Sequence, residues 1–196
     1  MRFLSRLTVF AICGIPAGLL VAGAVMGTLG VNPVEKITHE TGDWTLRFLM
    51  VTLAITPIRR ITKWNGLVRY RRMIGLFAFF YALLHFSTYL VLDHFFDLQA
   101  ILEDVALRRY ITVGFGSFLL LIPLALTSTN KMIQRLGGNK WMKLHRLVYV
   151  SAIGGVIHYY WLVKADVRGP AIYAGVLALL LGSRIVYALR RQTAGP

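Results

Sequence analysis

Six long apolar runs, separated by short polar segments, constrain the fold of this chain more than any other feature. Crossing about 30 Å of hydrocarbon takes roughly 20 helical residues, and a helix satisfies its own backbone hydrogen bonds inside lipid. The runs have about this length and cover residues 8–30, 44–62, 73–92, 110–127, 141–163 and 170–189. They predict an all-α, polytopic membrane protein, a six-helix transmembrane bundle formed by a single domain over residues 1–196.

The composition agrees with a membrane protein and argues against a nucleic-acid binder. Hydrophobic residues make up 57% of the sequence, and the mean hydropathy of +0.62 is too high for an ordinary water-soluble domain. The net charge of +14 would suit nucleic acid, but the Lys and Arg residues lie between the apolar runs instead of forming one soluble basic face. We therefore expect the lipid bilayer, and no nucleic acid, as a partner.

The first apolar run has some features of a signal peptide. It follows Arg2 and Arg6 and contains small residues at 22–24, as a cleavage site does. Its apolar stretch is longer than the roughly 7–15 residues of a signal-peptide core, so we interpret it as a retained helix. Cys13, the only cysteine, lies in this run. A lone cysteine excludes an intramolecular disulfide and a multi-cysteine metal site, and we interpret it as a small apolar filler.

Basic residues are concentrated on one side of the predicted membrane. Sixteen Lys and Arg residues lie at the N-terminus, in the second-to-third and fourth-to-fifth connections and at the C-terminus, whereas five lie on the other side. All eight Asp and Glu residues fall on that second side. The positive-inside rule therefore predicts that both termini are cytoplasmic, as an even number of spans requires.

Three histidines lie inside the apolar runs, His85 in the third and His145 and His158 in the fifth. An ionisable residue within the membrane is costly and marks a functional site by default. Neutral imidazole is the commonest metal ligand, and haem iron takes axial histidines. At the helical rise, His85 lies about 12 Å and His158 about 9 Å below the outer helix ends, so they can meet. We predict that they are the axial pair of a haem in an electron carrier; the alternative is interhelical hydrogen bonding.

His145 belongs to the opposite half of the predicted membrane. It lies about 20 Å from His158 along the helix axis and about 140° around it, so the two do not share one face. We predict that His145 is a ligand of a second haem iron. The alternative is an interfacial residue beside Lys143 and Arg146.

Arg47 and several residues near the histidines are further candidates. Arg47 either forms an i,i+4 ion pair with Asp43 or clamps a haem propionate. His39 and His94, in the outer segments, are expected to be solvated, with His94 as an alternative ligand of an outer-face centre. Small residues near His158 and an aromatic stripe on the third helix either line the haem or pack the core. They are Ser151, Gly154, Gly155, Phe77, Tyr81 and Tyr89.

Five groups of residues, in order along nearly the whole chain, carry a family resemblance. They are Thr41-Gly42-Asp43-Trp44 with Leu53-Ala54-Ile55-Thr56-Pro57, Arg71-Arg72-Met73-Ile74-Gly75-Leu76 with Leu84-His85, Leu126-Thr127-Ser128-Thr129-Asn130, Trp141-Met142-Lys143-Leu144-His145-Arg146-Leu147-Val148-Tyr149, and His158-Tyr159-Tyr160-Trp161. In these motifs the chain resembles the MsrQ (YedZ) family, the haem-binding membrane subunits of the bacterial MsrPQ protein-methionine-sulfoxide reductase system. That family is related to the membrane domain of ferric reductases and NADPH oxidases.

The resemblance implies a multi-pass protein of the bacterial inner membrane that carries electrons and has no catalytic residues of its own. Electrons would pass from the quinone pool to haem b, directly or through a flavin on the cytoplasmic side, which is either a bound FMN cofactor or a separate donor. They would then reach the periplasmic molybdopterin subunit MsrP, which reduces oxidised methionines in periplasmic proteins. The matching motifs place the haem-linked positions at His85, His145 and His158. A stand-alone ferric or oxygen reductase and a non-redox structural or transport protein are the alternatives.

Two departures from the wider family limit the resemblance. In the oxidases each of two helices supplies two histidines, whereas here Arg71 and Arg72 occupy the third-helix counterparts. Only one pair is complete, so the resemblance implies one haem b, or two if His145 has another, unidentified ligand as its partner or holds a five-coordinate haem. The sequence ends at Pro196 without the cytoplasmic FAD and nicotinamide domain of the oxidases, so we expect a separate electron donor.

Overall fold

The computed structural model describes residues 2–193, except for the side chains of residues 2, 3 and 191, and all regular elements of this part are helical. Arg2, Pro196 and Arg191, which is one of the C-terminal basic residues counted above, lie outside the described side chains. The helices are α1 (Arg2–Val25), α2 (Pro33–Thr62), α3 (Val68–Thr88), α4 (Leu98–Leu107), α5 (Arg109–Leu126), α6 (Asn130–Leu136), α7 (Gly138–Leu144), α8 (Leu147–Leu162) and α9 (Arg168–Thr193). A 3-10 turn precedes α3 and a π-helical turn follows it. The all-α prediction is confirmed.

Four segments are long and apolar enough to cross a membrane by length and composition alone. They are Leu4–Val25, Asn65–Asp93, Arg109–Leu126 and Arg168–Arg190. The other two predicted spans correspond to α2, which is long but begins with polar residues, and to α8, which has only 16 residues. The segments indicate a multi-pass membrane protein, and the count of six spans stays a prediction.

The structure corrects the predicted ends of the first two runs. The first helix ends at Val25 and not at residue 30, because Gly27 and Gly30 adopt φ values of 67° and 94° that leave the helix. The second helix begins at Pro33 and not at residue 44. The Asn32 side chain caps the first turn by accepting a backbone hydrogen bond, and proline suits the first helical position.

The predicted fifth span, residues 141–163, is two helices. The backbone amides of Arg146, Val148 and Tyr149 donate to carbonyls three residues earlier, and this departure from the i→i−4 pattern separates α7 from α8. One residue of α7 and one residue of the break itself contact the end of α5. The Trp141 indole donates to the Thr127 carbonyl at 2.9 Å, and the His145 Nε2 contacts the Thr127 hydroxyl at 3.1 Å. These contacts turn the chain before α8 begins.

Side-chain contacts show that consecutive long helices are antiparallel. His85 and Arg71 of α3 bind Thr38 and Thr56 of α2, so the start of one helix lies beside the end of the other. The pairs α5/α8 and α8/α9 follow the same pattern. We call one end of the bundle, which comprises residues 59–72, 127–146 and 184–193, the basic end. The opposite end comprises residues 32–43, 93–109 and 163–168, and we call it the acidic end. All eight acids of the chain belong to the acidic end.

At two prolines within helices, side chains from other helices supply the missing hydrogen-bond partners of the backbone. Near Pro16 of α1, the Tyr81 hydroxyl accepts from the Ala17 amide at 3.0 Å and donates to the Cys13 carbonyl at 2.9 Å. It thereby replaces a direct i→i−4 hydrogen bond. In α2, Pro57 has no amide hydrogen to offer the carbonyl four residues earlier, and α9 supplies the missing donor. Cys13 is buried in the core beside Tyr81, as its interpretation as an apolar filler predicts.

Candidate functional site

A cavity of about 360 Å³ lies between α2, α3, α5 and α8 toward the acidic end. Its volume falls in the range of about 300–1,000 Å³ that is usual for ligand and cofactor sites. Two of the predicted ligands, His85 and His158, line it. His145 does not line it, and neither does Arg47.

The rings of His85 and His158 lie close together at the interface between their helices. Their centres are 6.1 Å apart and their planes are inclined by 79°. His85 Nδ1 donates to the Thr38 carbonyl at 2.8 Å, and His158 Nδ1 donates to the Tyr110 carbonyl at 2.7 Å. Because a carbonyl only accepts, each Nδ1 carries the proton in a neutral ring. Each Nε2 is then left as the atom that can ligate a metal.

The separation of the two rings fits one metal ion between them. Metal–imidazole bonds of about 2.0–2.1 Å, as known for zinc, and ring centres about 1.2 Å beyond the nitrogen give a separation of roughly 6.5 Å. The observed 6.1 Å is close to this value. No group of three or more His, Cys, Asp and Glu side chains within residues 2–193 could hold a metal ion. The pair therefore suits a metal that brings its other ligands with a cofactor, as haem iron does.

Two glycines pack directly against the imidazole rings. A β-carbon at Gly42 would lie 3.1 Å from Cε1 of His85, and one at Gly114 would lie 2.5 Å from Nδ1 of His158. A β-carbon at Gly114 would therefore require the His158 ring to move, whereas one at Gly42 would require the His85 ring to shift by a few tenths of an ångström. Gly42 stands in one of the family motifs, whereas no sequence pattern indicates that Gly114 touches a histidine. The contacts hold each ring in the orientation that its backbone hydrogen bond requires.

Aromatic and small side chains line the cavity, but only some of them are the wall residues predicted from the sequence. Phe86 stacks on Phe118 at 4.9 Å, and both line the cavity. Of the predicted wall residues, Tyr89, Ser151 and Gly155 line it. The others pack elsewhere, because Phe77 and Tyr81 belong to the core with α1 and Gly154 faces Ser117.

The mouth of the cavity carries a charged network centred on Asp104. Its carboxylate lies 3.2 Å from His94 Nε2 and 3.0 Å from Arg108 Nε. The hydrogen bond with the Tyr110 hydroxyl and the nearby Asp104 carboxylate raise the pKa of Arg108. The expectation that His94 is solvated was wrong, because only 18% of its side chain is exposed. His39 is exposed and also lines the cavity.

Arg47 forms the ion pair that its spacing predicted. Its Nη2 lies 3.3 Å from Asp43, and its guanidinium lies over the Trp44 ring at 4.6 Å. The cation that lines the cavity is Arg108, which sequence reasoning did not select. The role of Arg47 as a propionate contact stays a prediction.

His145 lies near the basic end, away from the cavity. Its ring stacks on Trp141 at 3.9 Å, and its Nε2 contacts the Thr127 hydroxyl at 3.1 Å. In this arrangement a threonine occupies one ring nitrogen and a tryptophan covers one ring face. The role of His145 at a second haem stays a prediction.

Known proteins are similar to this chain over nearly its full length. The family described as ferric reductase like transmembrane component matches residues 41–156. The protein-methionine-sulfoxide reductase heme-binding subunit MsrQ of Herminiimonas arsenicoxydans is 54% identical over 91% of this chain and 83% of its own length. The MsrQ subunit of Rhodospirillum rubrum is 51% identical over 98% of this chain and 92% of its own length. This chain belongs to the MsrQ family.

Most of the cavity lining lies on the segment that matches the ferric reductase family, whereas Thr38 and His158 lie just outside its two ends. The matched segment begins at Thr41, beside Gly42, and contains His85 and Gly114. It ends at residue 156, two residues before His158. The pair of histidines thus lies on the two helices near the centre and the end of the shared segment.

Proposed function

We propose that this MsrQ-family chain is a haem b-binding electron-transfer subunit, with His85 and His158 as the axial ligands. The observation that carries the proposal is the geometry of this pair. Both rings face one cavity, both donate Nδ1–H to a backbone carbonyl, and their centres lie 6.1 Å apart. The relatives named above are heme-binding subunits, which agrees with this role.

The residues around the cavity bind and orient the cofactor and exclude water from it. The carbonyls of Thr38 and Tyr110 hold the protons on Nδ1 and make each Nε2 a better ligand. Phe86 and Phe118 supply apolar walls, and Arg108 offers a cation for a carboxylate at the mouth. A bound haem b supplies one-electron redox chemistry at its iron. The protein contributes position, ligand basicity and a dry environment.

The partners follow from the family and from the distribution of charge. We propose that the electron acceptor is MsrP, a periplasmic molybdopterin subunit, and that the donor is the quinone pool, directly or through FMN on the cytoplasmic side. The concentration of acids at one end and of bases at the other supports six spans in the inner membrane with both termini cytoplasmic. His145, near the basic end, is then the residue placed to serve a second haem or the donor side.

Two measurements test this proposal. A pyridine haemochrome assay with protein quantitation on the purified chain should give one haem b per chain, or two if His145 also holds one. The reduced protein should then be reoxidised rapidly only when MsrP and a methionine-sulfoxide substrate are added. Equal reoxidation by ferric iron or oxygen alone would favour a stand-alone reductase, and absence of haem after growth with ample haem would favour a non-redox protein.

A further inference from the structure

Within residues 2–193, four buried side-chain nitrogen and oxygen atoms lack a hydrogen-bond partner, and all four lie toward the basic end. They are Thr52 Oγ1, Arg60 Nη1, Arg71 Nε and Arg184 Nε. Buried polar atoms are normally paired, and an unpaired one is costly, most of all on a charged group. Three of the four are guanidinium nitrogens, which are hydrogen-bond donors. This region of the fold therefore has several buried donors without an acceptor.

The three arginines contact or belong to one face of α2. Leu53, Thr56 and Arg60 follow the i, i+3, i+7 spacing of a single helix face. Arg184 Nη2 donates to the Leu53 carbonyl at 2.7 Å, and Arg71 Nη2 donates to the Thr56 hydroxyl at 2.6 Å. The Arg60 guanidinium stacks over a tyrosine ring of α9 at 3.5 Å. The cluster therefore joins α2, α3 and α9.

No acidic side chain balances this charge. All eight Asp and Glu residues lie at the acidic end, and Arg71 is within Coulombic range of both Arg184 and Arg59. Like charges in a partly buried site are unfavourable unless an anion accompanies them. The missing partner is thus an anion with several acceptor oxygens.

We propose that Arg60, Arg71 and Arg184 bind the phosphate of an anionic phospholipid. A guanidinium fork matches phosphate oxygens, and basic pockets between membrane helices suit lipid headgroups. The three arginines also lie near helix ends, where lipid headgroups are expected. Arg60 is two residues before the end of α2, Arg71 lies in the first turn of α3 and Arg184 is near the end of the segment Arg168–Arg190.

The neighbouring surface favours a lipid over a free phosphate ion. Beside the cluster, Ile61, Ile185 and Val186 are 82%, 60% and 49% exposed. Such a surface would pack against acyl chains and would gain nothing from a free ion. The lipid would satisfy the guanidinium groups and would fix the end of α9 against α2 and α3. The proposal is independent of the haem site.

The test uses the purified full chain in phosphatidylcholine nanodiscs with increasing phosphatidylglycerol. The unfolding temperature and the phosphatidylglycerol retained in native mass spectrometry are measured for the parent, Arg71→Gln, Arg60→Gln and the control Arg135→Gln. The control removes one charge from an exposed position at the same end. We expect phosphatidylglycerol to stabilise the parent and the control. Each cluster variant should bind this lipid about tenfold more weakly.

Further measurements distinguish a bound lipid from a soluble phosphate ion and from buried water. Equal stabilisation of the parent by inorganic phosphate in phosphatidylcholine nanodiscs would identify a soluble phosphate ligand and overturn the lipid proposal. Equal response of all variants to phosphatidylglycerol would also overturn it and would leave buried water as the partner of the guanidinium groups. If Arg71→Gln does not fold, Arg60→Gln decides, since it leaves the bonds of Arg71 and Arg184 to α2 intact. Haem content is measured in parallel, so loss of lipid binding with haem retained is distinguishable from failure of the proposed function.

Discussion

Gly114 of α5 packs against the imidazole of His158 so closely that a β-carbon at position 114 would lie 2.5 Å from Nδ1. Two residues further along the same helix, Gly116 has no such neighbour within 4 Å. One helix therefore offers both a position that controls the histidine ring and a matched position that does not.

We predict that Gly114→Ala lowers haem content and Gly116→Ala does not. The extra methyl group must displace the His158 ring from its bond to the Tyr110 carbonyl, and overpacking of this kind costs about 1–3 kcal/mol. Gly116→Ala should change stability by less than about 1 kcal/mol. The Soret absorbance per protein measures the difference, and equal haem content in both variants would contradict the assigned packing.

His85→Ala and His158→Ala should each abolish the low-spin haem spectrum while leaving membrane insertion intact. Each change removes one axial ligand without altering the apolar character of its helix. His39→Ala is the control, because His39 is an exposed histidine of the same cavity that is not one of the two proposed axial ligands. Optical spectra of the three purified variants test this, and an unchanged low-spin spectrum in either ligand variant would exclude the pairing.

His145→Ala should have a milder spectral effect and should slow electron transfer from the donor side. Its contacts with Thr127 and Trp141 hold the junction between α7 and α8 near the basic end. Stopped-flow reduction of the haem by a quinol or reduced flavin measures the rate. If spectrum and rate both equal those of the parent, His145 is an interfacial residue only.

Tyr81→Phe should destabilise the protein by about 1–3 kcal/mol, because it leaves a buried amide and a buried carbonyl of α1 unpaired. Tyr81 is fully buried, whereas 54% of Tyr160 is exposed, so Tyr160→Phe is the control. Thermal unfolding in detergent measures both. Equal melting temperatures for Tyr81→Phe and the parent would show that the hydroxyl bridge is not needed.

Docking of the periplasmic partner at the acidic end should depend on salt. Asp104 is a poor target because it binds His94 and Arg108, whereas Glu103 and Asp97 are exposed. Asp97 caps α4, and asparagine caps nearly as well, so Asp97→Asn with Glu103→Gln removes charge and keeps the helix. We expect slower haem reoxidation by MsrP in low salt and a smaller defect as screening increases. A parental rate in low salt with unchanged haem content would place docking elsewhere.

The amino-acid sequence contains enough information to predict the apolar helices and the level at which two histidines meet. Hydrocarbon thickness sets helix length, and helical rise converts residue number into depth, so residue spacing alone brings His85 and His158 together. The break at His145 could not be predicted, because it results from contacts with Thr127 of another helix and has no proline or glycine to mark it.

The carbonyl partners of the two histidines were also beyond sequence reasoning. Thr38 lies in the polar first part of α2, which the apolar pattern assigned to a loop. The contact of Gly114 with His158 and the network around Asp104 depend on how helices pack in three dimensions. Residue identity and spacing show which groups can ligate, but packing decides which carbonyl or glycine holds each ring.

The contact between Arg184 and the Leu53 carbonyl spans 131 residues of sequence. During synthesis α2 is translated long before α9, so the Leu53 carbonyl, which Pro57 leaves without a backbone donor, has no arginine partner until α9 has been made. A partly made chain therefore carries an incomplete second helix, and arrival of α9 closes it. The hydrogen bonding of α2, an early helix, is therefore completed only when α9 packs against it.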